Sequence, residues 1–287
     1  MRSPTDTADH RTGAPTRDDV VLRATRVVAV VILPFLVVAA FLLYVVPDRT
    51  GELFAWAIDP PLSAYLLASA YVGGIWFFVR VAVERRWHRV QHGFPAVAVF
   101  AGALLVATLL HLDRFSPNLS FAVWMTLYAT TPFAVVVLAI IQRRHAQRGP
   151  DPVDVEVPRF AALGLAAIGA AAFAFGAVVF AVPGFAASFW AWELTPLTGR
   201  VTGAVLSLTG VVNVALLWDR RWSAFRILFQ AQLLSLAAIC LSLLLRSTDL
   251  QWERPMTAVF LGLVAGAVVA YGGFTAWCER EARRIRP

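Results

Sequence analysis

The sequence predicts an all-α integral membrane protein in which eight transmembrane helices form two tandem four-helix repeats with the same orientation. Composition, the distribution of arginines and matching positions in the two halves predict this fold. The chain has 287 residues, of which 59% are hydrophobic and 15% are charged, whereas a soluble domain carries about 25% charged residues. The apolar residues form long stretches, and about 20 apolar residues cross the hydrocarbon core of a bilayer as a helix.

Eight such stretches predict the membrane-spanning helices. In order along the chain they are residues 27–46, 62–83, 94–112, 120–141, 160–182, 200–218, 225–245 and 257–277. The first is too long for the apolar core of a signal peptide, and no small-residue cleavage site follows it. We therefore expect the first stretch to remain in the protein as a helix.

The arginines predict the orientation. All 25 basic residues are arginines, which together with the many Ala and Val residues indicates a bacterial genome of high GC content. Arginines collect in cytoplasmic loops, and the predicted topology leaves few on the outer side: Arg49, Arg114, Arg200, Arg246 and Arg254. We expect a bacterial inner-membrane protein with both termini in the cytoplasm. The net charge of +7 belongs to these loops and does not indicate a nucleic-acid partner.

The two halves match at a shift of 136 positions. The aligned pairs are Val46-Pro47 with Val182-Pro183, Trp56 with Trp192, Pro60 with Pro196, Gly74 with Gly210 and Asp113 with Asp249. These pairs indicate a duplication. The predicted divisions are a disordered cytoplasmic tail (1–22), the first repeat (23–145), a cytoplasmic linker (146–158), the second repeat (159–278) and a basic cytoplasmic tail (279–287).

Two repeats of equal orientation predict a pseudo-two-fold axis along the membrane normal, with an outward-facing cavity between them. Gly262 and Gly266 are expected to pack against a neighbouring helix. Polar residues within or beside the helices are the candidate ligand-binding residues: Tyr65, Ser69, Tyr128, Trp56 and Trp192. The alternatives are hydrogen bonds between helices for the first three, and an aromatic belt at the membrane interface for the tryptophans.

No charged residue lies near the middle of any predicted span. This argues against an ion-coupled transporter with a carboxylate at the membrane midplane, and against a haem held by two intramembrane histidines. His88 and His92 share a helix face, but no third ligand accompanies them, so we expect lipid-phosphate contacts there. We expect no cofactor and no metal site.

The stretch "LLHLDRF" places three candidate catalytic residues, His111, Asp113 and Arg114, at the outer end of the third span. A histidine near a carboxylate can act as a general acid or base, and Arg114 can hold an anionic headgroup. The alternative is that these residues anchor the helix end at the level of the lipid headgroups.

The stretches "FAWAIDP", "AYVGGIWFF" and "LLHLDRF" resemble a group of uncharacterised bacterial multi-pass membrane proteins. The resemblance implies an eight-helix membrane protein and no particular activity.

The predicted function is to bind or move a small amphipathic or lipid-like molecule in the cavity between the repeats, as a possible transporter rather than an enzyme. The lipid bilayer and this ligand are the expected partners, and the sequence names no protein partner. One alternative is a membrane enzyme that acts on a lipid headgroup through His111 and Asp113. The other is a scaffold or assembly subunit without a ligand.

Overall fold

The computed structural model describes residues 19–145 and 154–285, and the regular structure in these ranges is helical. Eight helices are long and apolar enough to cross a membrane. They are α1 (Arg23–Val45), α2 (Pro61–Val83), α3 (Gly93–Leu110), α4 (Leu119–Gln142), α5 (Arg159–Ala181), α6 (Pro196–Val214), α7 (Trp222–Leu245) and α8 (Pro255–Ile285). The prediction of a multi-pass membrane protein with eight such helices is confirmed.

The helix ends lie within four residues of the prediction except at the end of α8. Helix α6 begins at Pro196 because Thr195 and Thr198 form a capping box there, in which each side chain bonds to the other residue's backbone. Helix α8 continues to Ile285, so most of the predicted basic tail is helical. Short helices at Thr50–Leu53 and Pro183–Phe189 follow α1 and α5.

Hydrogen bonds between helix ends show that successive long helices run in opposite directions, so α1 begins and α8 ends at one end of the bundle. We call this end the basic face and the other end the opposite face. Helices α1 and α2 pack together, as do α3 and α4, α5 and α6, and α7 and α8. Three further pairs of long helices pack across the two halves, namely α2 with α7, α3 with α6, and α2 with α6. The inner helices are therefore α2, α3, α6 and α7.

Glycines allow some of these helices to approach closely. A Cβ atom on Gly176 of α5 would lie 2.7 Å from the carbonyl oxygen of Gly203 on α6, and one on Gly210 would lie 2.6 Å from the carbonyl oxygen of Gly169. The prediction for Gly262 and Gly266 is wrong. A Cβ atom on either would meet no described atom within 4 Å, because both lie on the outward face of α8.

Short extended segments precede α1 and α5 at the basic face. The backbone N–H of Val21 donates to the carbonyl of Arg85 (3.0 Å), and that of Val157 donates to the carbonyl of Arg220 (2.7 Å). The described ends of the predicted tail and linker, residues 19–22 and 154–158, are thus tied to neighbouring loops. The rest of these two predicted segments, residues 1–18 and 146–153, lies outside the described residues.

Candidate functional site

A cavity of about 630 Å³ lies in the middle of the bundle and is lined by residues from all eight long helices. Its walls are mainly aliphatic and aromatic. Among the residues that the structure describes, none that lines the cavity carries a charge. Pockets for small ligands are typically 300–1,000 Å³, mostly apolar, with a few polar groups that orient the ligand. The cavity has these properties.

Two tyrosines meet in the cavity wall. The hydroxyl groups of Tyr71 on α2 and Tyr128 on α4 lie 2.8 Å apart, and both side chains are buried. One hydroxyl donates and the other accepts, so the acceptor still has a proton to donate. The Trp124 ring packs against that of Tyr128, with the ring centroids 4.2 Å apart. The tyrosine pair therefore fixes α4 against α2 beside the cavity.

A second polar contact closes the wall between α5, α6 and α8. The fully buried Asn213 side chain donates from Nδ2 to the carbonyl of Leu165, at 3.2 Å, and to the hydroxyl of Tyr271. An amide in hydrocarbon is stabilised by such bonds between helices. Asn213 lies beside the cavity, and Tyr271 is one of its lining residues.

Two polar groups of the cavity wall have no hydrogen-bond partner among the described residues. Both Oε1 and Nε2 of Gln232, near the middle of α7, are shielded from solvent and make no hydrogen bond. The same holds for Nε1 of Trp190, whose side chain is fully buried. Both residues line the cavity, which makes them candidates for contact with a molecule inside it.

The three candidate ligand-binding residues on the helices lie in different environments. Tyr128 lines the cavity. Ser69 is buried, and its hydroxyl donates to the carbonyl of Leu66 on its own helix (2.6 Å). Tyr65 packs against Tyr44, with ring centroids 5.1 Å apart, and beneath the guanidinium of Arg246. Of the three residues, Tyr128 alone is placed to touch a molecule in the cavity.

The candidate tryptophans Trp56 and Trp192 are 2% and 1% exposed, so they do not form an interfacial belt. The indole N–H of Trp192 donates to the hydroxyl of Ser63 at 2.9 Å, which binds the loop before α6 to α2. Trp56 packs against Trp124, with ring centroids 4.8 Å apart. Both tryptophans anchor loops of the opposite face, whereas Trp252 is 65% exposed, as a belt residue would be.

The candidate catalytic residues lie at the opposite face. Nε2 of His111 accepts a hydrogen bond from Arg200 (2.6 Å). Burial and the charge of Arg200 lower the pKa of His111 below its ordinary value. Asp113 pairs with Arg114 at 3.2 Å, and both side chains are 72% exposed. His111 is thus paired with Arg200, whereas Asp113 and Arg114 are exposed at the protein surface.

The N-termini of α2 and α6 also lie at the opposite face. The carboxylate of Asp249 accepts from the backbone N–H of Leu62 in the first turn of α2 (3.0 Å). Thr195 does the same for Thr198 in the first turn of α6 (3.2 Å). Free N–H groups at a helix N-terminus attract anions. Here the protein's own side chains already bond to an N–H of each helix.

A network at the basic face joins the two halves. The ring Nδ1 and the backbone N–H of His88 both bond to the Asp19 carboxylate, and Nε2 lies 3.2 Å from the Ser223 hydroxyl. Ser223 in turn donates from its backbone N–H and its hydroxyl to Asp154. Burial raises the pKa of Asp19, but the hydrogen bonds from His88 outweigh burial and leave this pKa lowered.

The order Asp19, His88, Ser223 has the form of a nucleophile triad. The Ser223 hydroxyl donates to Asp154, however, so His88 does not receive its proton. The network is therefore a structural tie.

The predicted lipid-phosphate contacts of His88 and His92 are wrong. His88 is 1% exposed and bonds to Asp19 and Ser223. Nε2 of His92 bonds to Asp219 at 2.9 Å, and its ring stacks on Phe225. Within the described residues, no group of three or more His, Cys, Asp or Glu side chains is arranged to hold a metal ion.

Comparison with known proteins adds no relative: no family model, no curated protein and no solved structure matches the chain.

Sequence reasoning did not select Gln232, Tyr71 or Trp190 as site residues. A glutamine in the middle of an apolar span is a usable signal, because an amide is costly to leave unpaired in hydrocarbon. Which face of α7 carries Gln232 follows only from the packing of the helices.

Proposed function

We propose that the protein binds a small, uncharged, lipid-like molecule in the cavity between its two halves. The observation that carries this proposal is the cavity of about 630 Å³ with an apolar wall that lacks charge among the described residues. An ionised group would lose its hydration in such a space, so the cavity favours a neutral occupant. Tyr71, Tyr128, Trp190 and Gln232 are among the polar groups that would orient it.

We also propose that the chain is a tandem duplication with both repeats in one orientation. Corresponding backbone hydrogen bonds support this proposal. In the first pair of bonds, the N–H of Ser116 donates to the carbonyl of Ala55 (2.9 Å), and that of Gln251 donates to the carbonyl of Ala191 (2.8 Å). In the second pair, the N–H of Val21 donates to the carbonyl of Arg85 (3.0 Å), and that of Val157 donates to the carbonyl of Arg220 (2.7 Å). Each residue of a pair lies 135 or 136 positions from its counterpart. Bonds at both faces thus recur in the two halves.

The packing of the helices is consistent with a two-fold axis along the membrane normal. Such an axis would exchange α2 with α6 and α3 with α7, and the contact of α2 with α7 has its counterpart in that of α6 with α3. The cavity wall follows the same relation, since Ile32 and Leu36 on α1 correspond to Ile168 and Ala172 on α5. The proposed axis therefore passes near the cavity.

We further propose that the basic face is cytoplasmic and that the protein resides in a bacterial inner membrane. The support is the arginine distribution, because arginine-rich loops stay on the cytoplasmic side. The described parts of α5 and α8 do not pack closely against each other. We propose that a lipid-like molecule reaches the cavity laterally between these two helices.

Two phenylalanine substitutions on α8 test the binding function. Ala267 lines the cavity, whereas Ala265 is exposed and is not part of its wall. We expect Ala267→Phe to reduce binding of radiolabelled hexadecane to the purified protein by at least tenfold, because the ring occupies cavity volume. Ala265→Phe should bind like the unsubstituted protein. Scintillation proximity with immobilised protein in detergent measures both.

Equal binding by all three proteins would contradict the proposal and favour a scaffold without a ligand. Mass spectrometry of an organic extract of the purified protein would complement this test, since a molecule retained through purification would be identified directly. An activity on lipid headgroups that disappeared in a folded His111→Ala variant would instead support the enzyme.

A further inference from the structure

The amide of Gln232 lies in the membrane-spanning part of the described structure. It lies about midway along α7, and both its oxygen and its nitrogen are shielded from solvent without a hydrogen-bond partner among the described residues. Its side chain lines the cavity. A buried donor or acceptor that remains unpaired destabilises a protein, and Gln232 has one of each.

The surroundings of Gln232 restrict what can bond to it. Ser235 lies three residues further along α7, on the same helix face, and also lines the cavity. The other α7 residues of the wall are apolar: Leu228, Ala231, Leu236 and Ile239. A carboxylate or ammonium group in this wall would be a buried charge without a partner of opposite sign. The chemistry suits an uncharged oxygen group with a hydrocarbon body.

Because the amide offers a donor and an acceptor together, a hydroxyl group, which can donate and accept, is a suitable uncharged complement. A hydroxyl accepts from Nε2 or donates to Oε1, whereas a ketone can only accept and an ether likewise. A protonated carboxylic acid matches both atoms, but its ordinary pKa near 4.3 leaves it almost entirely ionised at pH 7, so keeping it neutral has a free-energy cost. An alcohol incurs no such cost.

We infer that the cavity takes a long-chain alcohol, with its hydroxyl at Gln232 and its hydrocarbon chain along the apolar wall. This inference rests on the proposed function and adds the headgroup chemistry. The chain is held by burial of apolar surface, which is not selective for the headgroup. We therefore assign the selectivity for the alcohol over the corresponding hydrocarbon to the Gln232 amide.

The test compares 1-hexadecanol, hexadecane and hexadecanoate at pH 8 with the unsubstituted protein and Gln232→Leu. We expect the unsubstituted protein to bind the alcohol about three- to tenfold more tightly than the hydrocarbon, the range of one buried hydrogen bond. It should bind hexadecanoate more weakly than the alcohol. In Gln232→Leu the preference for the alcohol should disappear while hexadecane binding is kept. Leucine removes an unpaired amide, so the variant should fold at least as stably.

The outcomes separate the two proposals. If hexadecane binds and Ala267→Phe prevents it, but Gln232→Leu keeps the full preference for the alcohol, the assignment of the hydroxyl to Gln232 is wrong and the binding function stands. If none of the three molecules binds in an Ala267-dependent way, the function itself fails. Thermal unfolding and size-exclusion profiles of every variant confirm that folded proteins are compared.

Discussion

At the scale of single residues, the contact between His111 and Arg200 has a consequence for stability. Arg200 donates to Nε2 of His111, so that nitrogen must be free of a proton for the bond to exist. The lowered pKa of His111 reflects burial and the neighbouring guanidinium. Protonation replaces a hydrogen bond with the repulsion of two positive charges, and this disfavours the folded state.

The direction of the pH effect follows from linkage. Because the pKa of His111 is lower in the folded protein than the ordinary 6.5, the unfolded chain takes up the proton first as pH falls. The contribution of His111 to the free energy of unfolding is complete above about pH 6.5 and is lost as pH falls toward the folded pKa. We predict that acidification from pH 7.5 to 5.5 lowers the thermal midpoint less in His111→Gln than in the unsubstituted protein.

Glutamine retains an acceptor for Arg200 but has no proton to gain in this range, so it isolates the effect of titration. Thermal unfolding in detergent at the two pH values measures the difference. A loss of midpoint on acidification that is equal in both proteins would exclude His111 as the source.

The sequence alone does not determine which candidate residues line the cavity. Tyr128 could be chosen from the sequence because a hydroxyl in an apolar span is conspicuous, and it does line the cavity. Ser69 satisfies the same criterion but bonds within its own helix. The difference depends on the rotation of α2 in the bundle. Hydropathy does not determine this rotation when, as here, apolar residues surround the helix.

At the scale of helices, span positions were predictable because their lengths are set by the thickness of the bilayer. The sites of close packing between helices were not predictable. Gly73 and Gly262 are both glycines within apolar spans, yet a Cβ on Gly73 would lie 2.8 Å from the carbonyl oxygen of Ala231 on α7, while one on Gly262 meets no described atom within 4 Å. A glycine motif in the sequence therefore does not identify its partner.

We predict that Gly73→Ala destabilises the protein by about 1–3 kcal/mol, because α2 and α7 must separate to admit the methyl group. Gly262→Ala is the matched control and should cause no loss, since its methyl group points away from the bundle. Unfolding by denaturant in mixed micelles compares the two variants. Equal stability of Gly73→Ala and Gly262→Ala would contradict the close packing of α2 on α7.

At the scale of the whole molecule, the two halves are joined by side-chain contacts at both the basic face and the opposite face. Asp249 of the second half bonds to the first turn of α2 in the first half, and His88 of the first half lies 3.2 Å from the Ser223 hydroxyl of the second. The counterpart of Asp249 in the proposed repeat is Asp113, which is exposed and pairs with Arg114. One aspartate of the pair therefore has a structural contact that the other lacks.

We predict that Asp249→Ala lowers the free energy of unfolding by about 1 kcal/mol, the usual effect of losing a side chain that bonds to a helix N-terminus. Asp113→Ala, its matched control, should change it by less than about 0.5 kcal/mol. Both are measured by denaturant unfolding under one set of conditions. A larger effect at Asp113 than at Asp249 would contradict the assignment.

The packing of first-half helices on second-half helices also has a consequence for the insertion of the protein into the membrane. Helix α2 packs on α7, and α3 packs on α6, so α2 and α3 gain these neighbours only when the last third of the chain has been inserted. Until then, the surfaces of α2 and α3 that later contact α7 and α6 face lipid or the insertion machinery. A ribosome that stalls after α4 would release four inserted helices without their contacts to α6 and α7, and such a fragment is a natural substrate for membrane quality-control proteases.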